Sequence, residues 1–453
     1  MSVQIKNPRH KNEIGFVLLI LAILLNSVGY AADPNASWTA ISIKLSDPVV
    51  VARAPVELNR AAKGWGRWQF PHLSQLTGNR LQVRYSLNPD SYESVGKSSG
   101  QAVSDDQGQT WQQLEPAPDS EVEEGILLPS GDRLKPVALP SVRGEELDLP
   151  ESVCDFVCSY RFPRSLYRRS DLPANCQGWQ FARLKKGEAT WETEQATVNI
   201  PDEIFHLTDE TRRGLTPSIG KTEKVTKGNL PLPYMWGHMR IAPDGSLWGV
   251  SYGWRLYDGV PRYAPLFLRS TDEGRTWELQ GEIKFVSNPQ IDPHAETRDG
   301  FTEPDYQFMP DGSIICIMRT SDGNGHGPTL LTRSTDEAKT WSAPVGYGKF
   351  GKTPQLLTLK NGVTLATYGQ SGGPGYFMIR ATDDPAGLNW TTSLKMKVSK
   401  PQPNAWDTCG HTEIVPLDDH SALMVYSDFN IPDENNIPRK TILVRKIQVE
   451  PSE

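Results

Sequence analysis

Short stretches of alternating apolar and polar residues run through most of the chain, each entered through a compact polar turn. That period of two is the pattern of a strand with one face buried. It follows Thr77-Gly78-Asn79-Arg80-Leu81, Pro129-Ser130-Gly131-Asp132-Arg133-Leu134 and Pro243-Asp244-Gly245-Ser246-Leu247. It returns after Pro310-Asp311-Gly312-Ser313-Ile314, Lys360-Asn361-Gly362-Val363 and Leu417-Asp418-Asp419-His420. Six hairpin signals in order predict six antiparallel units.

A second turn recurs between them. Ser104-Asp105-Asp106-Gln107-Gly108-Gln109-Thr110-Trp111, Ser270-Thr271-Asp272-Glu273-Gly274-Arg275-Thr276-Trp277 and Ser334-Thr335-Asp336-Glu337-Ala338-Lys339-Thr340-Trp341 share one plan, and 381–390 is a looser copy. The short carboxylate accepts bonds from its own turn, Gly supplies a positive φ, and the Trp folds back as an apolar plug. The stretch 187–191 reads as an eroded copy. Repeats of this kind predict an all-β, six-bladed β-propeller. The last unit lacks a Trp turn, so it is expected to close with the strand 38–45, paired to the carboxy-terminal strand 441–449. Ala338 stands where the sibling turns carry Gly; a positive φ there costs roughly 1 kcal/mol.

The spacing is uneven: 80 residues from Trp111 to Trp191, 64 from Trp277 to Trp341 and 49 from Trp341 to Trp390. The excess lies around 147–175 and in the linker 208–232, which read as loops or a small excursion rather than a second domain.

With 453 residues and a net charge of −7, neither nucleic acid nor an anionic membrane surface is the expected partner. Lys6, Arg9 and Lys11 precede an apolar run at 14–25 and the small-residue stretch to Gly29-Tyr30-Ala31, the order of a secretory signal cut after Ala31. The run is too short to span a bilayer comfortably, so no integral membrane segment is expected in the mature chain, which would be secreted or periplasmic. Export makes a disulfide between two of Cys154, Cys158 and Cys176 the expectation, the pairing open. Cys316 and Cys409 lie apart.

The Trp turns resemble the Asp-boxes, or BNR repeats, of the sialidase (neuraminidase) superfamily. The resemblance covers nearly all of the chain after the signal and implies a propeller of the sialidase type. In that family three arginines clamp the substrate carboxylate, a Tyr primed by a Glu attacks, and an Asp serves as acid and base. Carried over residue by residue, Glu303 and Arg319 match the family's Glu and second Arg. Arg319 ends the apolar strand 314–318, where a charge is costly without a partner. Arg67, in Arg67-Trp68-Gln69-Phe70-Pro71, is the candidate first Arg, two positions from the family slot. Asp90, after Asn88-Pro89, is the candidate acid/base. The family's Tyr position falls on His411, and no third Arg is assigned. His238 and His326 are further candidates for the substrate-binding pocket, with Tyr252, Trp254 and Tyr257 as stacking surfaces. The spacing of the histidines does not favour a metal site, and no cofactor is expected.

The resemblance thus implies an exported glycosidase cleaving a terminal acidic sugar from a glycan. Two alternatives stay open: a lyase using a His base on a uronic-acid polysaccharide, and a non-catalytic glycan-binding propeller. The sugar, the linkage and the oligomeric state are not legible.

Overall fold

The computed structural model describes residues 41–451 apart from 59–64, 119–124, 322–324, 326, 372–374 and 401–405. The signal segment, residues 38–40 of the closing strand and His326 lie outside the described residues. The described residues are all-β, and the helices among them are single 3-10 turns.

Six antiparallel meanders, five of four strands and the last of five, follow the hairpin signals in order. The first comprises Gln69–Gln75, Leu81–Ser86, Ser99–Ser104 and Gln112–Ala117. The second comprises Ile126–Leu127, Arg133–Val137, Trp179–Leu184 and Glu192–Asn199, and the third Met239–Ile241, Leu247–Tyr257, Val260–Ser270 and Thr276–Glu282. The fourth is built from Phe301–Phe308, Ile314–Thr320, Thr329–Ser334 and Val345–Gly348, and the fifth from Lys352–Thr358, Thr364–Gln370, Tyr376–Thr382 and Thr392–Lys397. In the sixth, Thr412–Asp418, Ser421–Pro432 and Pro438–Pro451 are joined by Ile41–Leu45, in register from Ile41 opposite Pro451 to Leu45 opposite Ile447, and by Val49–Arg53, which pairs with the same last strand from Val49 opposite Val444 to Arg53 opposite Thr441. The expected pairing of the amino-terminal strand with the carboxy-terminal one is therefore observed, over residues 447–451, while 441–444 pairs with Val49–Arg53 instead.

Two features depart from expectation. The second and third meanders are not separate sheets: their outer strands pair in parallel, Thr197 opposite Thr276 through Asn199 opposite Glu278. The insertion and linker are also not plain loops. They contribute Cys154–Val157, Pro163–Arg168, Ser218–Ile219 and Asn229–Leu230, which assemble around Ile204–Thr208 and join the third meander at Ile204 opposite Trp254. Chain that is polar in composition still pairs here because Phe156, Phe162, Leu166 and Trp254 give it a small core of its own.

Successive meanders share apolar clusters. Leu73 and Val83 pack with Val425 and Val444 between first and sixth, and Leu365 and Ile379 with Met424 and Leu443 between fifth and sixth. Ile315 and Ile317 meet Leu356 and Tyr368, Met318 meets Phe267 and Trp248, and Leu268 meets Phe181.

The Trp turns sit between the third and fourth strands and behave as their chemistry dictates. Asp106 accepts hydrogen bonds from Thr110 N (2.9 Å), Thr110 Oγ1 (2.6 Å) and Ser104 Oγ (2.8 Å), which hold its carboxyl down at about 2. The indoles of Trp111, Trp277, Trp341 and Trp390 each donate to the carbonyl three residues back. Trp277 is fully buried and stacks on Phe181, whereas Trp111 and Trp341 are half-buried at the cluster edges. Ala338 has φ +63° and sits where Gly108 and Gly274 sit in the sibling turns, with φ +86° and +88°.

The expected disulfide is not formed: all five cysteines are free thiols. Cys154 and Cys158 are four residues apart along extended chain, about 13 Å, where a disulfide needs Cα atoms within about 7 Å. Cys176 belongs to a different apolar cluster from that pair.

Candidate functional site

Three inner strands begin with the same irregularity. In the first, fourth and fifth meanders a residue before proline takes a positive φ: Phe70 (52°), Glu303 (49°) and Thr353 (44°), followed by Pro71, Pro304 and Pro354. Each pairing slips by one residue at that point, between Gln69 and His72, Thr302 and Asp305, and Lys352 and Gln355. A pre-proline residue ordinarily stays extended, and non-glycine residues seldom take positive φ. These are β-bulges, which re-aim side chains, and backbone strain of this kind gathers at functional sites.

The bulges lock together through carboxylates. Glu303 accepts from Thr353 N at 3.0 Å, and Asp305, two residues on, accepts from Leu356 N at 2.7 Å. Glu413, two residues beyond His411, plays the same part for Leu73 N at 3.0 Å. An inner strand at a sheet edge leaves its N–H groups without ladder partners, and carboxylates from another meander satisfy them.

Arg319 returns to the level of Glu303, as the hairpin register requires, and the two pair through Nε (2.6 Å) and Nη2 (2.5 Å). Nη1 donates to Thr320 O at 3.0 Å. Both residues are buried. Burial alone would raise the Glu303 carboxyl; Arg319 outweighs it, with help from His411 and Lys352, and holds it at about 2. His411 is half-buried, its ring 4.7 Å from that of Phe70. Burial lowers its pKa to about 3 despite Glu303, with Lys352, His72 and Arg319 pushing the same way, so the imidazole is neutral at physiological pH.

His238 sits between meanders, bonding Asp305 Oδ1 through Nδ1 (3.2 Å) and Glu413 Oε1 through Nε2 (2.9 Å). Burial opposes its charged form, but the two carboxylates prevail and raise its pKa to about 9. Glu413 also meets His72 Nδ1 at 3.2 Å, and Arg240 clamps Asp305 with contacts of 2.8 and 3.1 Å. The cations His238, Arg240, Arg319 and Lys352 face the carboxylates Glu303, Asp305 and Glu413, so the cluster carries one positive charge in excess.

Of the predicted residues, Glu303, Arg319 and His411 come together, and His238 belongs to the adjoining network. Arg67 is one layer removed: its carbonyl accepts from Lys440 Nζ at 3.2 Å, and Lys440 lies near the buried Cys409 thiol. Burial, with Arg67 adding and Cys409 opposing, lowers the Lys440 pKa to about 8. Asp90 is exposed and accepts from Trp65 Nε1 at 3.1 Å; Trp65 leads back to His411 through Phe70, with ring centroids 6.0 Å apart. Tyr252 and Trp254 line a cavity of 190 Å³ beside the cluster, whereas Tyr257 bonds Glu282 and takes no part in the lining. Tyr252 lies within the electrostatic reach of Glu303 and Arg319.

His72, Asp305, Glu413, Arg240 and Lys352 were missed by the sequence reading. The available signal was a proline at the third or fourth position of a strand, Phe-Pro-His, Glu-Pro-Asp and Thr-Pro-Gln, since proline inside a strand marks a bulge. Among the described residues no three His, Cys, Asp or Glu side chains are grouped as metal ligands.

Chemically, the cluster can hold an anion and donate hydrogen bonds from neutral His411. Glu303 at about 2 and His238 at about 9 are each far from the range of an efficient general base at neutral pH.

The chain matches no protein-family profile and none of the curated proteins. Among solved structures it is similar to a protein of unknown function from Dyadobacter fermentans, at 17% identity over 90% of this chain and 99% of that one, with a TM-score of 0.59. An α-L-arabinanase of Penicillium chrysogenum gives 14% identity, 88% and 98% coverage and a TM-score of 0.45. The sialidase NanB of Streptococcus pneumoniae gives 12%, 89% and 70%, and 0.44. At these identities the first likeness is one of fold alone, and TM-scores below 0.5 do not establish even that.

Proposed function

We propose that the six meanders are the blades of a sialidase-type propeller and that the protein is an exported glycoside hydrolase removing a terminal acidic sugar. The observation that carries this reading is the buried Arg319–Glu303 pair, set on a strained bulge within a cluster of net positive charge. A carboxylate-bearing sugar offers the counter-charge, and guanidinium groups hold carboxylates in fixed geometry. In this reading Arg319 and Arg67 attract the substrate carboxylate, with Lys352 adding to the field. Glu303 fixes Arg319, His411 donates a hydrogen bond, His238 holds the cluster together, His326 stays a candidate for substrate binding, and Asp90 supplies the proton.

The test is incubation of the purified protein with sialosides and with uronic-acid oligosaccharides. Release of free acidic sugar, abolished by Arg319→Ala and by Glu303→Gln in folded protein, supports hydrolysis. The lyase reading needs a His base, and His411, held at about 3, lies as far from that range as Glu303 does; an ultraviolet-absorbing unsaturated uronate would replace the hydrolase by it all the same. Saturable binding with no product would leave a glycan-binding propeller. Turnover at the parent rate in folded Arg319→Ala would refute the carboxylate clamp.

A further inference from the structure

The three bulges place His72, Asp305 and Gln355 at equivalent positions, two residues beyond the strained one. Asp305 and Gln355 are buried, at 2% and 8% exposure, whereas the His72 side chain is 53% exposed. His72 is held from one side only. Its Nδ1 meets Glu413 Oε2 at 3.2 Å, and its Nε2 has no hydrogen-bond partner among the described residues.

Glu413 is itself fixed. The same Oε2 accepts from Leu73 N at 3.0 Å, and Oε1 meets His238 Nε2 at 2.9 Å. Burial alone would raise the Glu413 carboxyl; the bonds from His238 and His72 outweigh it and hold it well below the usual carboxylate range. An ionised acceptor at Nδ1 keeps the proton on that nitrogen and leaves the Nε2 lone pair on the far side of the ring. A carboxylate that orients an imidazole, with the far nitrogen unoccupied, is how a general-base histidine is built.

The other imidazoles and carboxylates of the cluster are poorly placed to take a proton at neutral pH. Glu303 is held at about 2, His411 at about 3 and His238 at about 9. Against burial, Arg240 and His238 keep Asp305 well below the carboxylate range. An efficient base works near the ambient pH, and histidine is the side chain whose ordinary range spans it. His72 also belongs to the site, since it lies near enough to His411 to oppose its protonation. The titratable and charged groups around it are Glu413 and His411 on the sixth meander, His238 beyond Glu413 on the third, and Arg84 in register opposite it.

We propose that His72, oriented by Glu413, is the general base of the site. The step rests on the hydrolase reading. Nε2 takes a proton from water as the water oxygen bonds the anomeric carbon. The glycosidic C–O bond breaks, its electron pair leaves with the oxygen, and that oxygen takes a proton from Asp90. The imidazolium then returns its proton to the Asp90 carboxylate through solvent. A histidine stands where the resemblance expects a Tyr nucleophile, and direct attack by water needs no nucleophilic side chain.

The experiment incubates the full chain with a sialoside and with a uronic-acid oligosaccharide. His72→Gln should lower kcat about 100-fold or more with KM within about threefold, at an unchanged melting temperature. Added imidazole should restore part of the turnover of His72→Ala, which a merely structural histidine does not allow. Glu413→Gln, the positioning change, should lower kcat about tenfold or more. Nitrogen-15 NMR of histidine-labelled protein should show His72 protonated on Nδ1 in the parent and a mixture of tautomers in Glu413→Gln. The released sugar should appear first as the inverted anomer. Turnover by His72→Gln at the parent rate, or a retained first anomer, overturns the base and leaves the hydrolase standing. An unsaturated uronate whose formation stops in His72→Gln overturns the hydrolase and keeps His72 as the base. Neither product from the parent overturns both.

Discussion

Arg319→Ala tests the site and its energetics together. The pair is bidentate, and the side chains are only 9% and 10% exposed, so truncating the arginine strands a carboxylate. Breaking a buried pair in this way costs about 3–5 kcal/mol. The depressed pKa points to a similar figure: holding Glu303 at about 2 instead of its ordinary 4.5 corresponds to about 3 kcal/mol. Thr353 N still bonds Glu303 and Lys352 remains nearby, so the lower end is expected. With about 2.1 cal/mol/K of unfolding entropy per residue over about 400 residues, the melting temperature should fall by about 4–6 °C at pH 7. The protein should stay folded. The folded pKa of Glu303 lies below the unfolded one, so its contribution is complete above about 4.5 and is lost as pH falls through about 2. Without Arg319 that pKa rises, the carboxyl protonates earlier, and the gap between variant and parent should narrow from pH 7 to pH 4. Adding Glu303→Gln should recover part of the loss at pH 7. Calorimetric melts across this range decide it. Equal melting temperatures at pH 7, or a gap that does not change with pH, would refute the buried pair.

His238 has a folded pKa of about 9, above its ordinary 6.5, so its stabilising charge is complete below 6.5 and is lost as pH rises through 9. The melting temperature should decline over that window, and His238→Gln should flatten the decline. Trp277→Ala should cost about 3–5 kcal/mol because the ring is fully buried, and Trp111→Ala distinctly less, as denaturant unfolding will read. Thiol titration without reductant should find five reactive cysteines in guanidinium and at most the half-buried Cys154 at an appreciable rate in the native protein; three in guanidinium would mean a disulfide after all.

The meanders, the Trp turns and the closing strand were legible because each rests on local chemistry. Asp106 bonds residues within four positions of itself, and an alternating stretch after Pro-Asp-Gly pairs with whatever strand the turn returns. Arg319 was legible for a related reason: a charge ending the strand Ile314–Thr320 demands a partner, and hairpin register supplies Glu303 from sixteen residues away. The strands of the insertion were hidden by their polar composition, since Phe156 and Trp254 make a core only once they meet. The rest of the cluster lies beyond any local rule. His238 reaches Asp305 across 67 positions and Glu413 across 175, and the bulge at Glu303 immediately precedes Asp305. Whether a histidine is charged, as His238 is, or neutral, as His411 is, depends on how many carboxylates and cations the other meanders bring to it, and that count exists only after the sheets have packed.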